Sequence, residues 1–386
     1  MSKKKILFII SNMESGGVSK SMTSLLNIVD TDTYEVDLFI TNPSGVFMEL
    51  IPSKINKIID RRTQYLVAPF PKNLVSLVRS GFILSFILRI TAAFFMLFNK
   101  GYGAWLLSRL IFKINKEYDL AVDYNGQHQL YYLVDFIKAK KKVSFFHSDY
   151  SQWDYYYSMD KKYYSKVDQI FTISAICVAA LQKYFPNVQH RINLFENISS
   201  PILIEKLANQ YVPDMVTNSI VSVGHLSVAK GTELALEVAK NLKNRNINYV
   251  WYFIGSDSRD KEYLKMVERY GIHENIKFLG VLVNPYPYMK HTKIIAHLSY
   301  FEGKSIALDE AKIIGKPVVV TNFSTVSDQF KDGFNASICD FNVNAIANAI
   351  EELLDNKELI HKYSSNLKSE IMDNTNEIYK LYNLVH

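Results

Sequence analysis

Cysteine is nearly absent from this sequence. Its 386 residues hold two, Cys177 and Cys339. That is too few for a disulfide framework or a zinc cluster, so a reducing compartment fits. The dinucleotide fingerprint Gly-x-Gly-x-x-Gly is missing, and so is the P-loop spacing that ends in Gly-Lys-Ser/Thr. There is no short-period repeat and no low-complexity tract. No apolar run is comfortably long enough to span a bilayer. Residues 82–98 are marginal, and Arg89 would sit mid-bilayer at a cost of about 2.5–3.5 kcal/mol. The opening, up to Ile10, mimics a signal peptide. Polar Ser11-Asn12 ends its apolar run early, and a buried first strand explains it better. One Asp-x-Asp occurs, Asp30-Thr-Asp32, in a polar turn after an apolar helix and away from strand ends, so no metal site is expected there.

Apolar residues make up 48% and charged residues 21%, as in a globular protein. The length suggests two domains of about 150–200 residues. Net charge is +6, unevenly placed. Arg79, Arg89, Lys100, Arg109, Lys113 and Lys116 follow one another with no acid between them. The same stretch holds Phe82–Leu88 and Ile90–Phe98, both apolar. Basic and greasy residues together suit an anionic membrane surface. The alternative is two buried helices whose cationic ends are solvated. If the cations carry membrane contact, high salt should release the protein. Nucleic acid is a poor partner for cations set among aliphatics.

Strand and helix alternate along the chain. Lys5–Ser11, Tyr34–Thr41, Lys54–Asp60, Tyr118–Tyr124, Lys141–His147, Gln169–Ser174 and Asn193–Asn197 read as strands of a first half. Ser219–Gly224, Tyr249–Gly255, Asn275–Gly280, Lys293–Ser299 and Lys316–Thr321 read as strands of a second. Helices are expected at Val18–Val29, Thr232–Lys243, Lys261–Tyr270, Ser305–Ile314 and Val343–Asp355. Short Ile/Val/Phe runs separated by helices predict α/β domains with parallel sheets, doubly wound and Rossmann-like. The expected domains are 1–199 and 200–370, with 371–386 as a C-terminal helix packing back on the first. Ligands of open α/β sheets sit at strand carboxyl ends, so two such domains predict a cleft lined by residues just after strands.

Four groups fall there. Ser11–Gly17 follows the first strand, and Gly16 and Gly17 precede a helix whose amides suit an anion. Val223–Gly231 opens the second domain the same way, with Lys230 beside a glycine at a helix start and His225 in reach of a phosphate oxygen. Tyr300–Ala311 places Glu302 after a strand and Glu310 in the next helix. Eight residues of helical rise separate them by about 12 Å, with free amides at Gly303, Lys304, Ser305 and Ile306 between them. The layout suits hydroxyls at the ends of a ligand and phosphates in its middle. His147 ends a first-domain strand and can meet a sugar hydroxyl. Each group also has a plain reading: a turn, a loop histidine, a solvated glutamate, a structural histidine.

Taken together, these residues resemble glycosyltransferase family 4, retaining enzymes of the GT-B fold. The marks are Gly16-Gly17, Val223–Gly231, and Glu302-x7-Glu310 followed by Ala311 through Val319, with Asn284–Tyr288 and Asp332-Gly333 in support. The likeness is strong in the second domain, weaker over 45–115, and looks closest to bacterial capsular and surface polysaccharide enzymes. It implies two Rossmann-like domains facing across a cleft and a hexose donor carried on a nucleotide diphosphate, UDP favoured. It also implies a saccharide acceptor, polyprenyl-linked, reached from the cytoplasmic face of the membrane. Glu310 would hold the ribose and Glu302 the transferred sugar. Lys230 would neutralise the diphosphate, Gly16 and Gly17 would approach it, and His147 would bind near the reacting carbon. His225 stands where the family often has arginine, and Lys304-Ser305 replace a Phe-Gly type pair. No metal cofactor is implied. Two rival readings stay open: a non-catalytic GT-B partner protein, supported by His225, and a GT-B nucleotide-sugar epimerase.

Overall fold

The computed structural model describes residues 3–385 apart from 15, 69–70, 257–258 and 371–372. Ser15 of the glycine loop and 371–372, where the C-terminal helix was expected to start, lie outside the described residues. The chain forms two compact units. One comprises residues 1–14, 18–198 and 375–386, the other residues 15–17 and 199–374.

The first unit is built on β1 (Lys4–Ile10), β2 (Tyr34–Ile40), β3 (Asn56–Ile58), β4 (Glu117–Asp123), β5 (Lys138–Phe146), β6 (Gln169–Thr172) and β7 (Ile192–Leu194). They form one parallel sheet in the order β3-β2-β1-β4-β5-β6-β7. Ile6 pairs with Val36 on one side and Leu120 on the other, so β1 is central. Both faces are covered, which is why β1 is a continuous apolar run: Ile6 to Ile10 are all buried. The last helix, Tyr379–Val385, belongs to this unit. Tyr382 stacks on Tyr34 with ring centroids 4.5 Å apart, and its hydroxyl accepts the Asp30 N–H at 2.8 Å.

The second unit holds β8 (Ser219–Val223), β9 (Val250–Ile254), β10 (Ile276–Gly280), β11 (Ile294–His297), β12 (Val318–Thr321) and β13 (Ala336–Cys339). Their order is β10-β9-β8-β11-β12-β13, again all parallel. β13 was not expected from sequence. Its four residues, Ala-Ser-Ile-Cys, carry too little apolar pattern to stand out. Helix Thr232–Asn244 buries Leu234, Ala235, Val238, Ala239 and Leu242 as one stripe against this sheet.

The basic, greasy stretch folds as helices Lys72–Arg79, Ile83–Phe98 and Lys100–Ser108. Helix Ile83–Phe98 is inverted relative to an ordinary surface helix. It buries Ser85, Arg89 and Ala92, half-buries Phe86 and Met96 against Leu66, Leu77 and Leu107, and exposes most of its other aliphatic and aromatic side chains. Leu84, Leu97 and Phe98 are 70%, 81% and 76% exposed. The six-cation reading is corrected accordingly. Arg89 turns inward, Arg109 pairs with Asp135 at 2.7 Å, and Lys116 bonds Glu35 and Asp37 at 2.7 and 2.6 Å. Arg79, Lys100 and Lys113 remain at the surface. Among the described residues, no helix is long and apolar enough to cross a membrane.

Candidate active site

Each sheet reverses its strand order at one place, between β1 and β4 in the first unit and between β8 and β11 in the second. Chains leaving such neighbouring strands diverge, and the crevice between them is where open α/β sheets bind ligands.

In the second unit, the loop after β8 carries Lys230 and the loop after β11 carries Glu302. Backbone geometry ties the two loops together. Gly231 has φ 69°, and a Cβ there would lie 1.9 Å from the Leu298 carbonyl oxygen. Only glycine fits. The Tyr300 N–H donates to the Ala229 carbonyl at 3.0 Å. This places Lys230 Nζ against both carboxylate oxygens of Glu302, at 2.6 and 2.7 Å. His297 Nε2 lies 2.8 Å from Glu302 Oε1, and the Ser299 hydroxyl donates to the same oxygen at 2.8 Å. Glu302 is 7% exposed. Burial alone would raise its pKa, but the hydrogen bonds and charges of His297 and Lys230 outweigh it and hold the carboxyl down at about 2. The group is a fixed anion at neutral pH.

Glu310 lies on helix Ile306–Ile314, is 1% exposed, and accepts the Tyr286 hydroxyl at 2.7 Å. The helix starts only at Ile306, so Glu302 and Glu310 are not separated by one continuous helical rise. The expectation of free amides throughout 303–306 is also corrected. The Ser305 N–H donates to Gln329 Oε1 at 3.1 Å, while Gln329 Nε2 donates to the Ser305 carbonyl and to Asp309. The first intrahelical bond is Asp309 N–H to Ser305 O. The amides of Ile306, Ala307 and Leu308 therefore have no acceptor inside the helix. Gly303 and Lys304 lie in the non-helical lead-in to this turn. His225 is exposed, its Nδ1 2.8 Å from the Ser256 hydroxyl.

Sequence reasoning missed His297, Ser299, Tyr286 and Gln329 as parts of this site. A histidine inside an apolar strand was a legible signal for the first. Ser299 lies three residues before Glu302, and Tyr286 and Gln329 reach their partners only through tertiary folding.

Gly16 and Gly17 follow β1 along the chain, although residues 15–17 group with the second unit. Gly17 opens helix Gly17–Ile28. The Ser11 N–H donates to Asn125 Oδ1 at 2.8 Å and Gln129 Nε2 to the Ser11 hydroxyl at 3.0 Å, so the loops after β1 and β4 are joined. Gly45, with φ 112°, abuts the backbone of Met13 and Glu14, where a Cβ would come within 2.2 Å. His147 follows β5. Its ring packs 4.6 Å from Tyr124 and 5.6 Å from Phe145. Burial pulls its pKa down to about 4, although Asn197 favours the charged form, so the ring is neutral at pH 7. Asp30 accepts the N–H groups of Asp32 and Thr33, closing a turn. Asp32 pairs with Lys54.

Residues 204–370 match the model of the family described as glycosyl transferases group 1. The chain as a whole superposes on the structure of Anabaena HepE in complex with UDP and glucose. The TM-score is 0.68, coverage is 98% of both chains, and identity is 16%. That likeness establishes the two-unit GT-B fold. Among curated proteins, the chain is 30% identical over 175 residues to the capsular polysaccharide biosynthesis glycosyltransferase CapH of Staphylococcus aureus. It is 26% identical over 156 residues to the poly(ribitol-phosphate) alpha-N-acetylglucosaminyltransferase of the same species. The matches take in 43% and 39% of this chain. It spans less than half the length of these relatives, 47% and 32%.

Proposed function

We propose that the protein is a retaining family 4 hexosyltransferase. It moves a sugar from a nucleotide diphosphate, UDP favoured, to a polyprenyl-linked saccharide acceptor in bacterial surface polysaccharide synthesis. The observation that carries this reading is the Lys230–Glu302 pair at the strand reversal of the second sheet, followed by the open helix start at Ile306–Leu308. A diphosphate arriving there offers Lys230 a second anion. The lysine then shifts from Glu302 to the phosphates, and the glutamate turns its lone pairs to the hydroxyls of the transferred sugar. His297 and Ser299 keep it ionised and aimed. Glu310, steadied by Tyr286, takes the ribose hydroxyls.

As the anomeric bond breaks, negative charge grows on the leaving phosphate and positive charge on the sugar ring. Lys230 and the first-turn amides meet the phosphate charge where it develops. They supply the field a divalent ion would otherwise give, so the reaction runs without metal. The acceptor attacks on the face that the phosphate leaves, and the phosphate takes its proton. Gly16, Gly17 and His147 keep the roles the resemblance implies, with His147 donating or accepting as a neutral imidazole. His225, bonded to Ser256, serves as a weaker phosphate contact than arginine.

The exposed apolar face of helix Ile83–Phe98 supports attachment to the cytoplasmic side of the membrane, where a polyprenyl-linked acceptor resides. The decisive experiment follows nucleotide release from a panel of donor sugars in the presence of a polyprenyl diphosphate saccharide, with and without EDTA. Acceptor-dependent UDP release that survives the chelator is expected. Loss with EDTA, restored by manganese, would overturn the metal-free mechanism. Release from no donor would overturn the enzyme reading.

A further inference from the structure

Between Arg61 and Lys116 the chain has nine cations and no carboxylate. Arg89 is the cation carried on the buried stripe of helix Ile83–Phe98, and it is 9% exposed. Its Nε donates to the Leu66 carbonyl at 2.8 Å. One terminal nitrogen is buried with no hydrogen-bond partner, and no ion pair reaches the group among the described residues. A buried guanidinium without a counter-ion is costly unless an anion joins it.

Other unsatisfied groups belong to the same part of the first unit. His128 opens the helix that follows β4, at the strand reversal of the first sheet. Its Nε2 is buried and unpartnered. The charge of Arg89 acts on this ring, adding to burial in disfavouring its protonation. The next residue, Gln129, is wholly buried. Its Nε2 is anchored on Ser11, while its Oε1 has no partner. Asn73, 1% exposed, lies on helix Lys72–Arg79, which packs against helix Ile83–Phe98. Neither its amide oxygen nor its nitrogen has a partner. Buried polar groups are ordinarily satisfied, and each exception calls for a cause. Here Asn73 and Arg89 come from helices packed on each other, the Arg89 charge reaches His128, and the exceptions include a planar cation.

We propose that Arg89, His128, Asn73 and Gln129 line a site in the first unit for the diphosphate of the acceptor. Recognition then rests on the phosphate as well as on the sugar. The guanidinium fork matches phosphate oxygens. Neutral His128 and the Asn73 amide add donors, and Gln129 Oε1 accepts from a hydroxyl of the adjoining sugar. The proposal rests on the glycosyltransferase reading for its substrate, and it names which part of that substrate the first unit grips.

Inorganic pyrophosphate is the probe, titrated calorimetrically into the 386-residue chain held at saturating UDP. A second, UDP-independent site is expected. Arg89→Gln weakens it at least tenfold, and Arg89→Lys restores part of the loss. Hydrogen exchange on the wild-type protein locates the site without any variant. Pyrophosphate should protect peptides within 61–92 and 124–136. Binding that only competes with UDP, or protection confined to 223–231 and 302–310, would overturn the proposal. Phosphatidylglycerol vesicles separate the two sources of phosphate. Equal vesicle binding by wild type and Arg89→Gln supports the acceptor diphosphate. Vesicle binding that depends on Arg89, with pyrophosphate binding unchanged, would overturn it in favour of a lipid headgroup. If Arg89→Gln does not fold, Asn73→Leu and the wild-type exchange map decide. Failure of UDP itself to bind would instead sink the glycosyltransferase reading and leave the pyrophosphate map to stand or fall alone.

Discussion

The two units share a parallel strand order that reverses once, but they differ in how the polar groups singled out in each are satisfied. In the second unit the charges are mutually satisfied: Glu302 receives Lys230, His297 and Ser299, and Gln329 closes the Ser305 turn. In the first unit, Arg89, His128, Gln129 and Asn73 retain buried atoms without partners. A saturated network is pre-organised and holds one geometry. Orphaned groups cost stability and are retained where something else satisfies them. The contrast teaches that the second unit stores its binding geometry in ion pairs it can exchange, whereas the first leaves the last bonds for its ligand to make.

The largest test of this contrast is Lys230→Ala. If the lysine is the exchangeable cation, its loss removes the charge that meets the leaving phosphate. The rate of UDP release should then fall by about 10²–10³, as when a transition-state donor is removed elsewhere. A loss under about tenfold would show that the pair with Glu302 is structural only. Next comes Glu310→Ala, which should weaken UDP binding by about 1.5–3 kcal/mol, the usual worth of a hydrogen bond to a charged group. Tyr286→Phe should cost less, about 1 kcal/mol, because it removes only the group that steadies Glu310. Calorimetry with UDP checks both. Equal losses would mean that Tyr286 itself touches the nucleotide.

How much of this was legible in the sequence differs between the units for a physical reason. Second-unit strands such as Ser219–Val223 and Val250–Ile254 are short, doubly covered apolar runs, and their limits fall within a residue of those expected. Lys230, Glu302 and Glu310 stand at fixed offsets from those runs, so local pattern finds them. His297 and Ser299 share Glu302 because β11 ends beside it, and Gln329 comes from 24 residues beyond Ser305. The Gln329 contact is written in tertiary structure and not in spacing, whereas His297 and Ser299 stand five and three residues before Glu302. In the first unit, residues 79–116 show composition without direction. An inventory of cations and apolar residues cannot tell which face of helix Ile83–Phe98 points inward, and the structure turns the charge in and the grease out.

That inversion changes the expected membrane behaviour. Three surface cations at about 1 kcal/mol each now stand beside several exposed apolar side chains, each worth about 1.5–3 kcal/mol if fully buried. The apolar term should dominate, so high salt should weaken binding to anionic vesicles without abolishing it. The triple variant Leu84→Glu, Leu97→Glu, Phe98→Glu should lower vesicle partitioning at least tenfold, as read by co-sedimentation. Full release of the wild type by salt would return the attachment to the cations, and unchanged partitioning of the triple variant would remove this helix from the interface.

The smallest effect separates the units by titration. In the first unit, burial sets His147 at about 4, and burial together with the Arg89 charge sets His128 at about 4, against 6.5 for a free ring. A depressed histidine adds stability that is whole above pH 6.5 and is lost as pH falls from 6.5 through 4, since the unfolded chain binds the proton first. Asp123 and Asp160, pushed up by burial to about 7 and about 6, act in the opposite sense, losing stability as pH rises from 3.8 through those values. These contributions overlap between about pH 4 and 6, so global melting is a blunt readout. In the second unit Glu302 gives up its contribution only as pH falls from 4.5 through about 2. The imidazole resonances are sharper. Assigned through His147→Gln and His128→Gln, both rings should titrate near pH 4 and stay neutral from pH 6 to 8. A His128 midpoint near 6.5 would mean a solvated ring out of reach of the Arg89 charge. The first unit would then lose the crowding of unsatisfied groups that distinguishes it from the second.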